Sequence, residues 1–171
     1  TVASLGPAEN YIKKLNNKLD FVPGIEINTD YKADEVHILG YYINYDDQVL
    51  LAKLAELREA RYQRAINMLT KLKKMGLDVD LASVKRFAAG GLIARPHIGQ
   101  ALVEKGYVFS VKEAFEKYLS KGKPAYVSRV KFSPEEAIKL IKMVGGIAVL
   151  AHPGLIKNSE IIDEVVEMGI E

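Results

Sequence analysis

The chain has 171 residues, enough for one domain with a sizeable core, and 49% of them are hydrophobic, which argues against disorder. Its 24 basic and 22 acidic side chains leave a formal net charge of +2, too even a balance to mark a nucleic-acid surface by itself. It has no cysteine, which excludes disulfides, thiolate catalysis and zinc–thiolate sites, so any metal must be held by His, Asp, Glu or water.

In chain order, residues 7–19, PAENYIKKLNNKL, read as a short helix, because Pro7 suits a first turn and Leu15 and Leu19 lie one turn apart. DFVPGIEIN and DEVHILGYYIN are strands rich in Val and Ile, joined by the polar turn TDYKAD. The pattern changes at Asp46. Leu50, Leu54, Leu57, Ala65, Ile66, Leu69 and Leu72 recur at spacings that predict one long amphipathic helix, with Asp46 and Asp47 at its start and Gly76 past its end. DLASVKRFA, RPHIGQALVEKG and SVKEAFEKYLSKG are further helices. PAYVSRVKF reads as a short strand. SPEEAIKLIKMVGG is a helix with Ser133 as N-cap, Pro134 at its first position and Gly145 as stop. GIAVLAHPG is a buried strand ending in His152, NSEIIDEVVEMG is a helix, and a further strand is expected to begin at Ile170-Glu171. This alternation predicts an α/β fold, a parallel sheet or barrel, formed by residues 1–45 and 125–171 and interrupted by an all-helical insertion at 46–124. No apolar run approaches the roughly 18 residues of a membrane helix, and no signal peptide opens the chain; the expected location is the cytoplasm.

Three residues carry the chemical interest. A hairpin loop symmetric about Tyr31-Lys32 would place Glu26 directly opposite His37, with Cβ atoms about 4.5–5.5 Å apart. A carboxylate and an imidazole so placed could share a metal ion or hydrogen-bond each other. A strand histidine is also commonly a hydrogen-bonded core group, and that reading of His37 stands beside the ligand reading. His152 closes the run IAVLAH, at the end of a strand, where α/β proteins place their chemistry. Glu26 lies between Ile25 and Ile27, and a glutamate in that setting is rarely buried without a partner.

GIEI, VHILGY, RPHIGQALVEKGYV, EAFEKYLSKGKPAYV and GGIAVLAHPG, in this order, resemble the PHP (polymerase and histidinol phosphatase) phosphoesterases over essentially the whole chain. The resemblance is greatest to the branch with a helical insertion, which includes 3′,5′-nucleoside bisphosphate phosphatases and 5′-to-3′ exoribonucleases. It implies part of a distorted (β/α)7 barrel holding two or three divalent metal ions, manganese first, with zinc, iron or magnesium as alternatives. It implies that Glu26, His37 and His152 are metal ligands, Glu26 being able to bridge two ions. It also implies that Arg95 and His97 of RPHIGQ, with Arg61 and Arg64 of REARYQR, hold substrate phosphates, since guanidinium forks bind phosphate oxygens bidentately. Arg58 and Arg129 are further candidates, and Tyr126 can pack or stack. The helix start at Arg95 favours anions. Arg58, Arg61 and Arg64, spaced at three on a charged helix, equally fit a solvated face. No side chain is assigned as the catalytic group, because the implied nucleophile is a metal-activated water.

The family's amino-terminal His-x-His with Ser-Asp-Gly, its Thr-Asp-His and its closing Asp-x-His are absent, so the chain reads as the middle portion of such a protein. The expected activity is metal-dependent hydrolysis of phosphate esters of nucleotides or short oligonucleotides. Those substrates are the expected partners, with no membrane and no obligate protein partner. The alternative is a non-catalytic or truncated PHP scaffold that binds nucleic acid or a partner protein. The insertion and its RPH segment argue against a histidinol-phosphate phosphatase or a polymerase-associated proofreading domain.

Overall fold

The computed structural model describes residues 2–15, 19–32 and 34–171. In chain order they form α1 (Leu5–Lys14), β1 (Gly24–Tyr31), β2 (Asp34–Tyr41), α2 (Gln48–Lys74), α3 (Leu81–Ala88), α4 (Arg95–Glu104), α5 (Val111–Ala114) continued by a π-helical turn (Phe115–Leu119), α6 (Pro134–Met143), β3 (Ile147–Leu150), a 3₁₀ turn (Pro153–Leu155) and α7 (Glu160–Glu167). Two compact units result. One comprises Thr1–Leu54 and Lys131–Glu171, the other Ala55–Val130, so the unit boundary falls within α2.

The first unit is built on a three-stranded sheet of order β1-β2-β3. The parallel sheet expected from the alternation of elements is not what these strands form: both pairings are antiparallel. Period-two alternation gives the sheet two unlike faces. Ile27, Thr29, Val36 and Ile38 are buried on one face, with Gly40 alongside. Glu26, Asn28, Glu35, His37 and Leu39 occupy the other, which is more open. Helix α6 packs against all three strands. A Cβ on Gly40 would lie 2.9 Å from Ile141 Cγ1, so the missing side chain lets strand and helix approach. Ser133 and Glu136 form a reciprocal capping box at the start of α6, which fixes where that helix begins.

The expected helix over 7–19 ends at Lys14, and its residues 16–18 lie outside the described residues. Leu15 and Leu19 are 49% and 61% exposed, so the apolar spacing there reflects no packed face. No strand forms at PAYVSRVKF, where the backbone is irregular. Its carbonyls are used elsewhere: Arg64 Nε donates to Val127 O at 2.7 Å and Lys71 Nζ to Tyr126 O at 2.7 Å.

The second unit has its own core. Ala65, Met68, Leu69 and Leu72 of α2 pack with Val84 of α3, Ile98 and Leu102 of α4, and Leu119 of the π turn. The long helix starts where Asp47 Oδ1 accepts from the Val49 and Leu50 amides, and Gly76 follows its end at φ +79°. Asp80 caps α3 by accepting from Ser83 N at 2.7 Å. No helix among the described residues is long and apolar enough to cross a membrane.

Candidate functional site

Glu26, His37 and His152 meet on the open face of the sheet, but not by the pairing that a loop symmetric about Tyr31-Lys32 requires. The hairpin is tighter: Tyr31 pairs with Asp34, so Glu26 stands opposite Leu39 and His37 opposite Asn28. The register is displaced by two residues, which preserves the face, and Glu26 reaches His37 diagonally. Lys32, at φ +46°, makes that tight turn.

His152 arrives by a different route. The β2–β3 ladder pairs Ile38 with Leu150, and Ala151 N donates to His37 O at 2.9 Å. Regular continuation would turn the next side chain towards the Val36 face of the sheet. Instead His152 adopts the left-handed conformation, φ 32° and ψ 59°, and its ring lies edge-on to His37 with centroids 4.8 Å apart. Such a conformation costs a non-glycine residue on the order of 1–2 kcal/mol, and its place here coincides with the cluster.

The donor atoms form a tight triangle. His37 Nδ1 is 2.9 Å from Glu26 Oε1 and 3.1 Å from His152 Nε2, and His152 Nε2 is 3.4 Å from Glu26 Oε1. These separations can be tested against a metal. With metal–ligand bonds of about 2.1 Å, neighbouring ligand atoms lie about 3.0 Å apart on an octahedron and about 3.4 Å apart on a tetrahedron. One carboxylate oxygen and two imidazole nitrogens at 2.9–3.4 Å thus fit three positions around one divalent ion. The set is also only partly withdrawn from water: the His37 side chain is 19% exposed and that of His152 43%. Sequence reasoning missed one member of this neighbourhood, Glu35, whose Oε1 lies 3.1 Å from His37 Nε2. The signal was available, since residues two apart in a strand share a face.

In the helical unit, Arg64 and Arg95 converge on Tyr126, with guanidinium carbons 5.6 and 5.8 Å from its ring centroid. Arg95 also lies 5.4 Å from the Phe115 ring. Burial first, and then the neighbouring charges of Arg95, Arg129 and Arg61, push the Arg64 pKa below the usual guanidinium value. Arg61 itself is exposed. His97 is engaged at the start of α4, where its Nδ1 accepts from the Ala94 amide at 3.1 Å. That bond places the proton of the neutral ring on Nε2, a donor suited to an anion. Arg58 lies apart from this cluster and lines a groove of about 830 Å³ with Glu59, Tyr62, Lys85 and Leu92.

The fold matches that of a protein from Bifidobacterium adolescentis assigned as a metal-dependent phosphoesterase. The TM-score is 0.80 at 25% identity, over 100% of this chain and 62% of that one. By architecture, then, the chain is of the α/β kind found in metal-dependent phosphoesterases. It is 38% identical over 154 residues to the 5′-3′ exoribonuclease Rnm of Escherichia coli strain K12, across 90% of this chain and 53% of the relative. It is 35% identical over 150 residues to the 3′,5′-nucleoside bisphosphate phosphatase of Chromobacterium violaceum, across 87% of this chain and 53% of the relative. No family model matches the chain. The chain is a homologue of these bacterial nucleases and phosphatases, and it spans about half the length of the curated relatives it matches, 53% in both cases.

Proposed function

We propose that this chain is part of a cytoplasmic PHP-type phosphoesterase that hydrolyses phosphate esters of 3′,5′-bisphosphonucleotides or short oligonucleotides. In this reading Glu26, His37 and His152 hold a divalent metal on part of a (β/α)7 barrel, and the helical unit is an insertion that binds phosphate. The observation that carries the proposal is the donor triangle, whose sides match ligand separations around one ion. Homology to an exoribonuclease and a nucleoside bisphosphate phosphatase supports the substrate class.

A bound divalent ion, manganese in the first instance, supplies Lewis acidity towards a phosphoryl oxygen and a water. The chain's residues do the rest. Glu26 would bring negative charge and a carboxylate oxygen to the ion. His37, on β2, and His152, just past the end of β3, would each offer one nitrogen lone pair. Arg64 and Arg95, held against Tyr126, present fixed positive charge to phosphate oxygens, with Arg61 adding to the field and His97 offering an N–H.

The test uses the full-length protein, chelator-stripped and resupplied with manganese, assayed for phosphate release from adenosine 3′,5′-bisphosphate and from short oligoribonucleotides. Wild type is expected to turn over only with metal. Glu26→Gln and His152→Ala should each lose more than about 100-fold, beyond what removing an outer-shell partner costs, with circular dichroism unchanged. Near wild-type turnover in either variant would show the ligand assignment to be wrong. A wild-type protein that binds these substrates without hydrolysing them would establish the scaffold reading instead.

A further inference from the structure

We infer that Glu35 is a positioning residue for this centre: it holds His37 in the tautomer whose Nδ1 lone pair faces Glu26 and His152. The inference rests on the metal-binding reading above.

A neutral imidazole carries one proton, and the two nitrogens of His37 face different demands. Nε2 lies 3.1 Å from Glu35 Oε1. Nδ1 lies 2.9 Å from Glu26 Oε1 and 3.1 Å from His152 Nε2. An ionised carboxylate only accepts, so Glu26 and Glu35 compete for the same proton from opposite edges of the ring. If Glu26 wins, Nδ1 carries hydrogen and is lost as a ligand, and a bare Nε2 faces the Glu35 carboxylate. If Glu35 wins, Nδ1 presents a lone pair beside the Glu26 oxygen and the His152 nitrogen. That convergence of electron pairs is what a cation requires.

The strand geometry favours Glu35. Glu35 and His37 are two residues apart on one face of β2, so the carboxylate sits beside the ring edge that points away from the triangle. Across the hairpin, Asn28 pairs with His37, and its Nδ2 donates to Glu35 Oε1 at 3.3 Å. The same oxygen therefore accepts from Asn28 and stands within hydrogen-bond distance of His37 Nε2, and β1 and β2 together fix where it stands. A carboxylate on the far nitrogen of a ligating histidine also raises the ring's basicity towards a metal.

The experiment is calorimetric titration of Mn²⁺ into the chelator-stripped full-length protein, with ring ¹⁵N–¹H NMR of the metal-free protein as a second readout. Glu35→Ala is expected to weaken manganese binding about 10–100-fold and to move the His37 proton from Nε2 towards Nδ1. Glu35→Gln, whose amide oxygen still accepts from Nε2–H, should retain most of the affinity and the wild-type tautomer. Equal losses in the two variants, or an unchanged tautomer in Glu35→Ala, would overturn the inference and reduce Glu35 to a structural role. Glu26→Gln is the control. If it abolishes manganese binding while Glu35→Ala binds as wild type does, this inference fails and the ligand assignment stands. If Glu26→Gln binds manganese normally, the ligand assignment fails and this inference with it.

Discussion

The open face of the sheet and the Tyr126 region of the helical unit gather charge in opposite senses. On the sheet, a carboxylate oxygen and two imidazole nitrogens converge within 3.4 Å, and among the described residues none of the three pairs with a lysine or arginine. In the helical unit, Arg64 and Arg95 converge on one tyrosine, and among the described residues neither pairs with a carboxylate. Elsewhere charges are matched locally: Lys13 with Glu9, Lys117 with Glu113, Arg86 with Glu104. Charges that serve the fold find partners within it. Under the proposed function, the opposite charge for each cluster would come from outside, a cation for the sheet and an anion for the arginines.

Of the effects that separate the two regions, the largest tests the cationic half. Arg95→Gln should lower kcat/KM for a bisphosphonucleotide by roughly 10–100-fold, the worth of one charge-assisted hydrogen bond to phosphate. The melting temperature should change little, because relief of the repulsion from Arg64 offsets loss of the Arg95 bond to the Leu119 carbonyl. Steady-state kinetics and thermal melts of the full-length variant check both. A melting temperature that falls together with activity would mean that Arg95 serves packing against Phe115 and Tyr126, and the contrast between the units would collapse.

The sequence shows the identity of these groups more plainly than their placement. Leu50, Leu69 and Leu72 at helical spacing foretell α2, and all three are buried; Ser133 with Glu136 foretells the start of α6. Glu26, His37 and His152 stand out because each is a ligating type in apolar surroundings. Their register does not, because a polar turn of several residues accommodates more than one loop, and the tight one depends on Lys32 at positive φ. A strand's composition also carries no direction, so β3 antiparallel to β2 was not legible. PAYVSRVKF alternates as a strand does, but tertiary contacts override it when Arg64 and Lys71 take its carbonyls. Nor does any local rule announce that His152 leaves the strand conformation to face Glu26 and His37.

A smaller effect separates the two faces of the sheet. Gly40→Ala places a methyl against Ile141, which is fully buried, and should destabilise by about 1–3 kcal/mol, read as a lower urea midpoint. The open face, where Glu26 stands opposite Leu39, gains no atom. Manganese affinity of the folded variant should therefore stay close to that of wild type. A large loss of affinity in a variant that remains folded would show the triangle to depend on the helix-facing packing, and the two faces would not be separable.

The smallest expected effect concerns a matched pair, the counterpart of the convergent clusters. Lys32, at the hairpin, pairs with Glu164 of α7. Their hydrogen bond is the main cause of both shifts: it holds the Glu164 pKa below its ordinary 4.5 and the Lys32 pKa above its ordinary 10.5. A depressed carboxylate pKa gives stability that is present above the unfolded value and lost as pH falls through the folded one. A raised lysine pKa gives stability that is present below the unfolded value and lost as pH rises through the folded one. The pair therefore contributes between these limits, and only modestly, since both side chains are partly exposed. Lys32→Ala should lower the urea midpoint slightly near neutral pH, and the difference from wild type should shrink as pH falls through the lowered Glu164 pKa. A difference that persists in acid would mean that Lys32 steadies the hairpin independently of Glu164, for instance through its ammonium 5.5 Å from the Tyr31 ring centroid. The clusters would then differ from their surroundings in what they bind rather than in how the fold manages charge.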